Sequence, residues 1–343
     1  MNSNMGRIYI IIVLSFLILF IVNVIFGIIN LYYWVTHGLQ TVLQGQNFVE
    51  RIIYSTYLKW ILLADVFWLL TALTFAIKRK HYKTSSEHNY LVYKPILERK
   101  ICIVIPAFNQ EDSIGMVVKD YLNQKDVKYV IVIDNHSTDR TVEISRLNGA
   151  MVITKDSNKG YAHSFVIGLK ESLKTDANII VLTEADATYN AYDISKMVPF
   201  LDNCDMVIVS RLIQVLIEKE TQLRMFCVWG NYFLSRLLQI KYFSLLHMGV
   251  LQISDVGSTY RSIRRDALEK IIHQFTYPNS DKLLVKNQFA HLFMTMLGVE
   301  NDLRIVEIPV TFKKRLGFSK TESQKISKAI KYGLQIFWFI IKR

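Results

Sequence analysis

The run Thr183-Glu184-Ala185-Asp186 closes an apolar stretch with two carboxylates one residue apart. At a strand exit both can reach one small cavity. Hard oxygen ligands of this kind suit magnesium or manganese, which also takes phosphate oxygens from a substrate. On its own such a triplet usually marks a solvated turn; its place at a strand end is what makes it a candidate metal site. A second cluster is Val132-Ile133-Asp134-Asn135-His136-Ser137-Thr138-Asp139. Here Asp134 leaves a strand tip, where a carboxylate can accept hydrogen bonds from a base or ribose, while Ser137 and Thr138 read as helix caps. A third, Pro106-Ala107-Phe108-Asn109-Gln110-Glu111, follows another apolar run. Pro106 ends strand pairing, the Phe108 ring is equally suited to stacking or to the core, and Asn109 and Glu111 offer polar contacts. No G-x-G-x-x-G follows a strand and no G-x-x-x-x-G-K-[ST] occurs, which argues against dinucleotide and ATP-loop sites.

These clusters need elements to hold them. Apolar runs at Ile101 to Pro106, Tyr129 to Ile133, Ala150 to Thr154, Asn178 to Thr183 and Asp205 to Val209 read as buried strands. Between them, Glu111 to Gln124, Thr138 to Leu147, Gly160 to Leu173 and Asp193 to Leu201 read as helices. Strands buried on both faces and alternating with helices predict an α/β fold with a mostly parallel sheet. Ligands then bind at the carboxyl ends of the strands, near a topological switch point. Further on, Gln222 to Ile240 reads as an amphipathic helix carrying Trp229, Phe233 and Leu237, and Arg304 to Phe312 as a strand.

The chain has 343 residues, half of them hydrophobic and unevenly spread. Residues 8–34 carry no charged side chain and 60–77 only Asp65, so both stretches predict transmembrane helices. The first is too long for a signal peptide, and no small-x-small cleavage site follows it. Arg7 before the first span, and Lys78, Arg79, Lys80 and Lys83 after the second, put both ends in the cytoplasm by the positive-inside rule. Glu50, Arg51 and Lys59 leave the short outer loop without bias. Asp65 is expected near the outer end of its span, hydrated or paired. The expected organisation is 1–80 for the two spans and outer loop, 81–100 for a connector, 101–320 for a cytoplasmic catalytic domain, and 321–343 for an amphipathic helix. In that last helix Ile326, Ile330, Leu334, Phe337 and Ile341 share a face opposite Lys325, Lys328, Lys331 and Gln335, and Thr321 with Gln324 suggests a capping box. Its aromatic end suggests a helix lying in the membrane interface. The net charge of +12 fits anionic lipid; no zinc-finger spacing, RNA-binding aromatic motif or basic heptad region supports nucleic acid as a partner. Cys102, Cys204 and Cys227 are far apart, without metal spacing, as expected of reduced thiols.

In order and spacing, these clusters resemble the family 2 glycosyltransferases with the GT-A fold, over roughly residues 100 to 320. Pro106-Ala107-Phe108-Asn109-Gln110-Glu111 is similar to that family's P-A-Y-N-E-E, Asp134 to Asp139 to its D-D-G-S-T-D, Asn158-Lys159-Gly160 to its N-K-G, and Glu184-Ala185-Asp186 to its D-x-D. Ser210-Arg211, Trp229-Gly230-Asn231, the run from Ser254 to Arg261 and Glu307 to Phe312 complete the series. The resemblance implies a nucleotide-sugar donor and a divalent metal, Mg or Mn. Pro106, Phe108, Asn109, Glu111, Asp134 and Asn158 would line the donor pocket, and Asp186, assisted by Glu184, would hold the metal on the diphosphate. Glu184, Gln110 and His136 depart from the family pattern, which makes Asp186 the firmer ligand. Arg315 and Lys320 look like the basic loop that related enzymes close over the site.

Within the family the chain is most similar to polyprenyl-phosphate glycosyltransferases of the dolichyl-phosphate mannose synthase type. That implies an inverting transferase in the membrane (the plasma membrane in a prokaryote), with membrane lipids and a lipid-linked acceptor as partners and a homo-oligomer compatible with the sequence. A lipid phosphate is already anionic, so Arg211 and Arg261 could steer it without a base. A sugar hydroxyl needs a base, for which Asp255 is the candidate. A processive polysaccharide synthase is disfavoured by the missing Q-x-x-R-W motif and later spans. A membrane scaffold with a decayed transferase domain is the remaining alternative.

Overall fold

The computed structural model describes residues 2–43, 56–82, 92–213, 221, 225–247, 251–280, 282–286, 289–316 and 326–343. Its contacts divide the chain into Met1–His81 with Ile341–Arg343, and Tyr82–Ile340.

The first unit is built on two helices, α1 (Asn2–Leu43) and α2 (Thr56–Lys78). Both extend past the charge-free stretches, because the polar residues flanking those stretches permit a helix as readily as the apolar ones. Segments Asn4–Ile29 and Leu58–Lys78 are long and apolar enough to cross a membrane. Most of their large side chains are exposed, among them Ile18, Ile28 and Phe67. Three polar devices join the helices. Trp68 Nε1 donates to the Ile12 carbonyl at 2.7 Å, Asn23 Nδ2 donates to both oxygens of Asp65 at 3.1 and 3.2 Å, and the Arg79 guanidinium lies 4.0 Å from the centre of the Tyr9 ring. Asp65 is therefore paired, as expected for a carboxylate in an apolar helix. Glu50, Arg51 and Lys83 lie outside the described residues.

In the second unit seven strands form one sheet in the order β3-β2-β1-β4-β6-β5-β7. They are β1 (Ile101–Ala107), β2 (Val127–Asp134), β3 (Met151–Thr154), β4 (Ile179–Leu182), β5 (Met206–Ser210), β6 (Arg261–Arg264) and β7 (Ile305–Pro309). All neighbours pair in parallel except β6, which runs antiparallel between β4 and β5. Strands β1, β4 and β5 are buried along their whole length, so helices must cover both faces. Ile101, Ile103 and Ile105 pack with Ile114, Val117 and Val118 of α3 (Glu111–Leu122). Intervening positions face α5 (Tyr161–Ser172), where Gly168 sits against Val104 and Ile133. The other helices are α4 (Thr141–Leu147), α6 (Ile194–Met197, flanked by 3-10 turns), α7 (Met225–Tyr242), α8 (Arg265–Ile271), α9 (Ala290–Glu300) and α10 (Ile326–Lys342).

Several elements differ from expectation. Strand β6 has the sequence Arg-Ser-Ile-Arg, without the apolar run that marks its neighbours. Helix α9 is apolar on all sides because all but two of its eleven residues are buried, which leaves no helical period to read. The expected helix from Asp193 to Leu201 is broken into 3-10 and α turns around Pro199. The last strand ends at Pro309 rather than Phe312. Gln222, Thr321 and Gln324 lie outside the described residues.

The chain turns around β1: β2 and β3 lie to one side, β4 and the rest to the other. The carboxyl ends of β1, β2 and β4 therefore meet at the switch point. Contrary to expectation Pro106 does not end pairing with β2, which runs on to Ala107; it is tolerated in this central strand because the β4 ladder has already ended opposite Val104.

An added Cβ at Gly168 would stand 2.2 Å from Val104 Cγ1. Gly168→Ala is expected to destabilise the domain by about 2 kcal/mol or more through overpacking. Chemical denaturation of purified wild type and variant checks this; an unchanged midpoint refutes the packing argument.

Candidate active site

Three loops rise from β1, β2 and β4. The first, Phe108 to Gln110, is stitched to the second by hydrogen bonds. Asn109 N donates to Ser137 Oγ at 2.8 Å, Thr138 N donates to Asn109 Oδ1 at 2.9 Å, and Gln110 N donates to Thr141 Oγ1 at 2.7 Å. Glu111 Oε2 accepts from Arg140 N at 3.1 Å. Asp134 is 2% exposed, and each of its oxygens lies 3.2 Å from Ser137 N. Ser137 thus donates its amide to the Asp134 carboxylate and accepts from Asn109 N at its hydroxyl rather than capping a helix; α4 begins only at Thr141. His136 stands at φ 68, a left-handed conformation that favours glycine. That explains why the similar family motif has Gly there. Gln110 is buried, with Oε1 3.3 Å from Ser113 Oγ. Its change from Glu is thus felt inside the loop.

A fourth loop follows β3. Asn158 Oδ1 accepts from Asn135 Nδ2 at 2.7 Å and from Gly160 N at 3.0 Å, and Lys159 N donates to Asn135 Oδ1 at 3.1 Å. Beneath this clamp lies Lys155, 9% exposed, with Nζ 2.8 Å from Ser164 Oγ. Burial, reinforced by the Lys159 ammonium and opposed by Asp134, lowers the Lys155 pKa to about 8.

The third loop carries the acidic pair. Ser113 Oγ donates to the Ala185 carbonyl at 2.7 Å, tying α3 to it. Asp186 is 2% exposed; its Oδ1 accepts from Thr188 N at 3.1 Å and Thr188 Oγ1 at 2.6 Å. Its Oδ2 is buried without a hydrogen-bond partner, and Arg315 Nε lies 3.2 Å away. Glu184 Oε1 accepts from Thr259 Oγ1 at 2.8 Å. Burial, followed by the Asp186 carboxylate beside it, pushes the Glu184 carboxyl up to about 7. Two adjacent carboxylates that resist sharing negative charge, one with an oxygen lacking a hydrogen bond, have the chemistry of a divalent-cation site. Among the described residues no group of three or more His, Cys, Asp or Glu converges. Two carboxylates fit an ion that takes its other ligands from phosphate and water, the usual habit of magnesium.

The expected acceptor residues separate into two kinds. Asp255 is fully enclosed and salt-bridged to Arg211, with Oδ2 2.8 Å from Nε and Oδ1 3.0 Å from Nη2. It also accepts from the amides of Arg211 and Gly257, both at 3.0 Å, and from Asn231 Nδ2. Burial alone would raise its pKa, but the Arg211 guanidinium and these donors hold the carboxyl below the usual carboxylate range. Glu307 accepts from the Ser254 and Asp255 amides at 2.8 and 2.9 Å, which fixes the loop. Arg261 departs from expectation. It is 1% exposed and donates to the carbonyls of Ser258, Thr259 and His291 and to Thr295 Oγ1. A guanidinium that is 1% exposed and commits four of its five N–H donors to these partners pins β6 to α9 and serves the scaffold. Lys320 lies outside the described residues.

Sequence reading missed Ser113 and Lys155 as supports of these loops, and held Thr259 only as part of the run from Ser254 to Arg261. A serine, lysine or threonine carries no spacing signal. Asn231 and Glu307 fell within recognised motifs, yet their support of Asp255 appears only in three dimensions.

Residues 102–272 match the family model described as Glycosyl transferase family 2. The chain carries a glycosyltransferase domain of that family, and with it is a glycosyltransferase. It is 22% identical over 240 residues to polyprenol monophosphomannose synthase of Mycolicibacterium smegmatis, covering 68% of this chain and 84% of that one. It is 23% identical over 254 residues to undecaprenyl-phosphate mannosyltransferase of Micrococcus luteus, covering 70% and 96%. A crystal structure of glucosyl-3-phosphoglycerate synthase from Mycobacterium tuberculosis in complex with uridine-diphosphate superposes with a TM-score of 0.50 at 14% identity, over 76% of this chain and 82% of that one. This last likeness establishes the shared GT-A fold.

Lys155 yields a pH test. Its folded pKa lies below the ordinary 10.5, so between about pH 8 and 10.5 the unfolded chain binds the extra proton and stability rises with pH. The melting temperature of wild type minus that of Lys155→Met is expected to increase from pH 7 to 9.5. Parallel profiles would refute the buried-ammonium assignment.

Proposed function

We propose that the chain is a membrane-anchored transferase that moves a sugar from a nucleotide-sugar to a lipid phosphate, with its catalytic domain on the cytoplasmic side. The observation that carries the donor half is the Glu184–Asp186 pair at the end of β4, beside the loop of Asp134 across β1. Asp186 and Glu184 would hold Mg or Mn; when bound, the cation neutralises charge gathering on the departing diphosphate. The loop of Phe108, Asn109 and Glu111, joined to that of Asp134 through Asn109 N and Ser137 Oγ, would form the base and ribose side, with Pro106 at its root. Asn158 closes it through Asn135.

The acceptor half rests on Asp255. A general base works best with a pKa near the operating pH. Asp255 accepts hydrogen bonds on both oxygens, and its pKa is depressed. It is suited to orienting Arg211 and ill-suited to taking a proton. An acceptor that arrives already ionised needs no proton removed. A phosphate meets that condition, and the names of the two relatives above supply the lipid. Arg211 remains the cation to meet it, while Arg261 serves the scaffold.

Membrane attachment is supported by the two apolar helices of the first unit and by a face in the second. On α7, Met225, Phe226, Trp229 and Phe233 are exposed, as are Ile330, Leu334 and Trp338 on α10. Phe233 stacks on Phe337 at 6.2 Å, which joins the two helices. In α10, Phe337 is half-buried against Phe233, so the exposed apolar face is narrower than its sequence suggests. Lys328 and Lys331 lie exposed on the same helix, as in helices that rest on anionic lipid.

Membranes containing the enzyme, given a radiolabelled nucleotide-sugar and Mn²⁺, are expected to yield label extractable into organic solvent. Asp186→Asn should lower that rate at least about a hundredfold, with the melting temperature retained. Label found only on water-soluble glycans would overturn the lipid acceptor, and unimpaired transfer by Asp186→Asn would overturn the metal assignment.

A further inference from the structure

After β7 the chain doubles back over the carboxyl edge of the sheet and zips onto the acidic loop. Tyr189 and Phe312 form an antiparallel bridge, with their rings 5.6 Å apart. Lys313 N donates to the Thr188 carbonyl at 2.8 Å, and Leu316 N donates to the Asp186 carbonyl at 3.0 Å. Arg315 is held between these anchored residues, so its position is set by backbone pairing. Its Nε lies 3.2 Å from Asp186 Oδ2, yet neither buried atom makes a hydrogen bond. The other oxygen of Asp186 is committed to Thr188. Oδ2 is thus the position through which Asp186 would take a cation, and a guanidinium already stands against it.

On the reading that Asp186 is a metal ligand, we propose that Arg315 and the divalent cation are alternative occupants of Asp186 Oδ2. Binding of the metal with the donor would then hand the guanidinium from the protein carboxylate to the donor's phosphates. The reason is electrostatic. A dication bound to Oδ2 would stand within a few ångströms of the guanidinium charge, in a site shielded from water, where their repulsion is strong. Anionic phosphate placed between them removes that conflict and gives Arg315 a planar, charge-assisted partner. The protein therefore holds metal poorly by itself and well together with a diphosphate. By linkage the diphosphate likewise binds better with metal present. This assigns Arg315 a role toward Asp186 in addition to contact with the donor. A residue that only touches phosphate would leave nucleotide-free metal binding unaltered when removed.

The test is Mn²⁺ binding by full-length protein in nanodiscs, read from the electron paramagnetic resonance of free Mn²⁺ in the absence of nucleotide. Arg315→Gln is expected to bind Mn²⁺ roughly fivefold or more tightly than wild type, with Arg315→Lys between them. Added uridine or guanosine diphosphate should tighten Mn²⁺ binding less in Arg315→Gln than in wild type. Equal or weaker nucleotide-free binding by Arg315→Gln, with an unchanged melting temperature, overturns the exchange. Asp186→Asn separates the two readings. If it abolishes binding while Arg315→Gln changes nothing, the exchange fails and the metal site stands; if it binds Mn²⁺ as wild type does, both fall.

Discussion

A carboxylate that is almost wholly buried, with one oxygen satisfied by the protein and the other not, is the constraint around which this domain is arranged. Asp186 occupies that position. An isolated buried anion is unstable unless something answers its charge. Thr188 and Arg315 do so from within, while burial and the neighbouring Asp186 charge keep Glu184 difficult to ionise. The parallel sheet makes such a site possible. It delivers the loop at the end of β4 beside those of β1 and β2, while helices on both faces exclude water from the strands beneath.

A second buried ion pair, Arg211–Asp255, is handled differently. Its partners are complete: Asn231, Gly257 and the Arg211 amide join the guanidinium on Asp255, and Glu307 holds the loop behind it. Breaking one partner of such a pair leaves an uncompensated charge, so the group is suited to holding shape. One site of the domain is thus left electrostatically open and the other closed. The open one can exchange ligands; the closed one can present Arg211 in a fixed place.

Much of this was legible beforehand, for identifiable reasons. Strands β1, β2, β4 and β5 are short apolar runs, which physics permits only where both faces are covered, and their ends were predicted to within about two residues. The acidic pair and Asp134 were singled out because they sit directly after such runs. The two long apolar helices of the first unit followed from their charge-free length, and the pairing of Asp65 from the cost of an unanswered carboxylate among apolar side chains. Strand β6 was missed because an antiparallel insertion with the sequence Arg-Ser-Ile-Arg carries no such signature. Arg261 was misjudged for a related reason: a guanidinium in a motif looks available until the carbonyls of Ser258, Thr259 and His291 are seen around it.

Local order along the chain was enough to specify which elements form and which residues stand at their ends, since periodicity, charge-free length and strand-end position are properties of neighbours in sequence. Whether a given side chain is open to a ligand or spent on the scaffold depends on partners far along the chain, such as Thr259 for Glu184, Arg315 for Asp186 and Asn231 for Asp255. Hydrogen bonds and ion pairs of that range leave no periodic trace. They come into being only once the sheet has brought its ends together, and it is folding that sorted the polar residues into those that can act and those that hold.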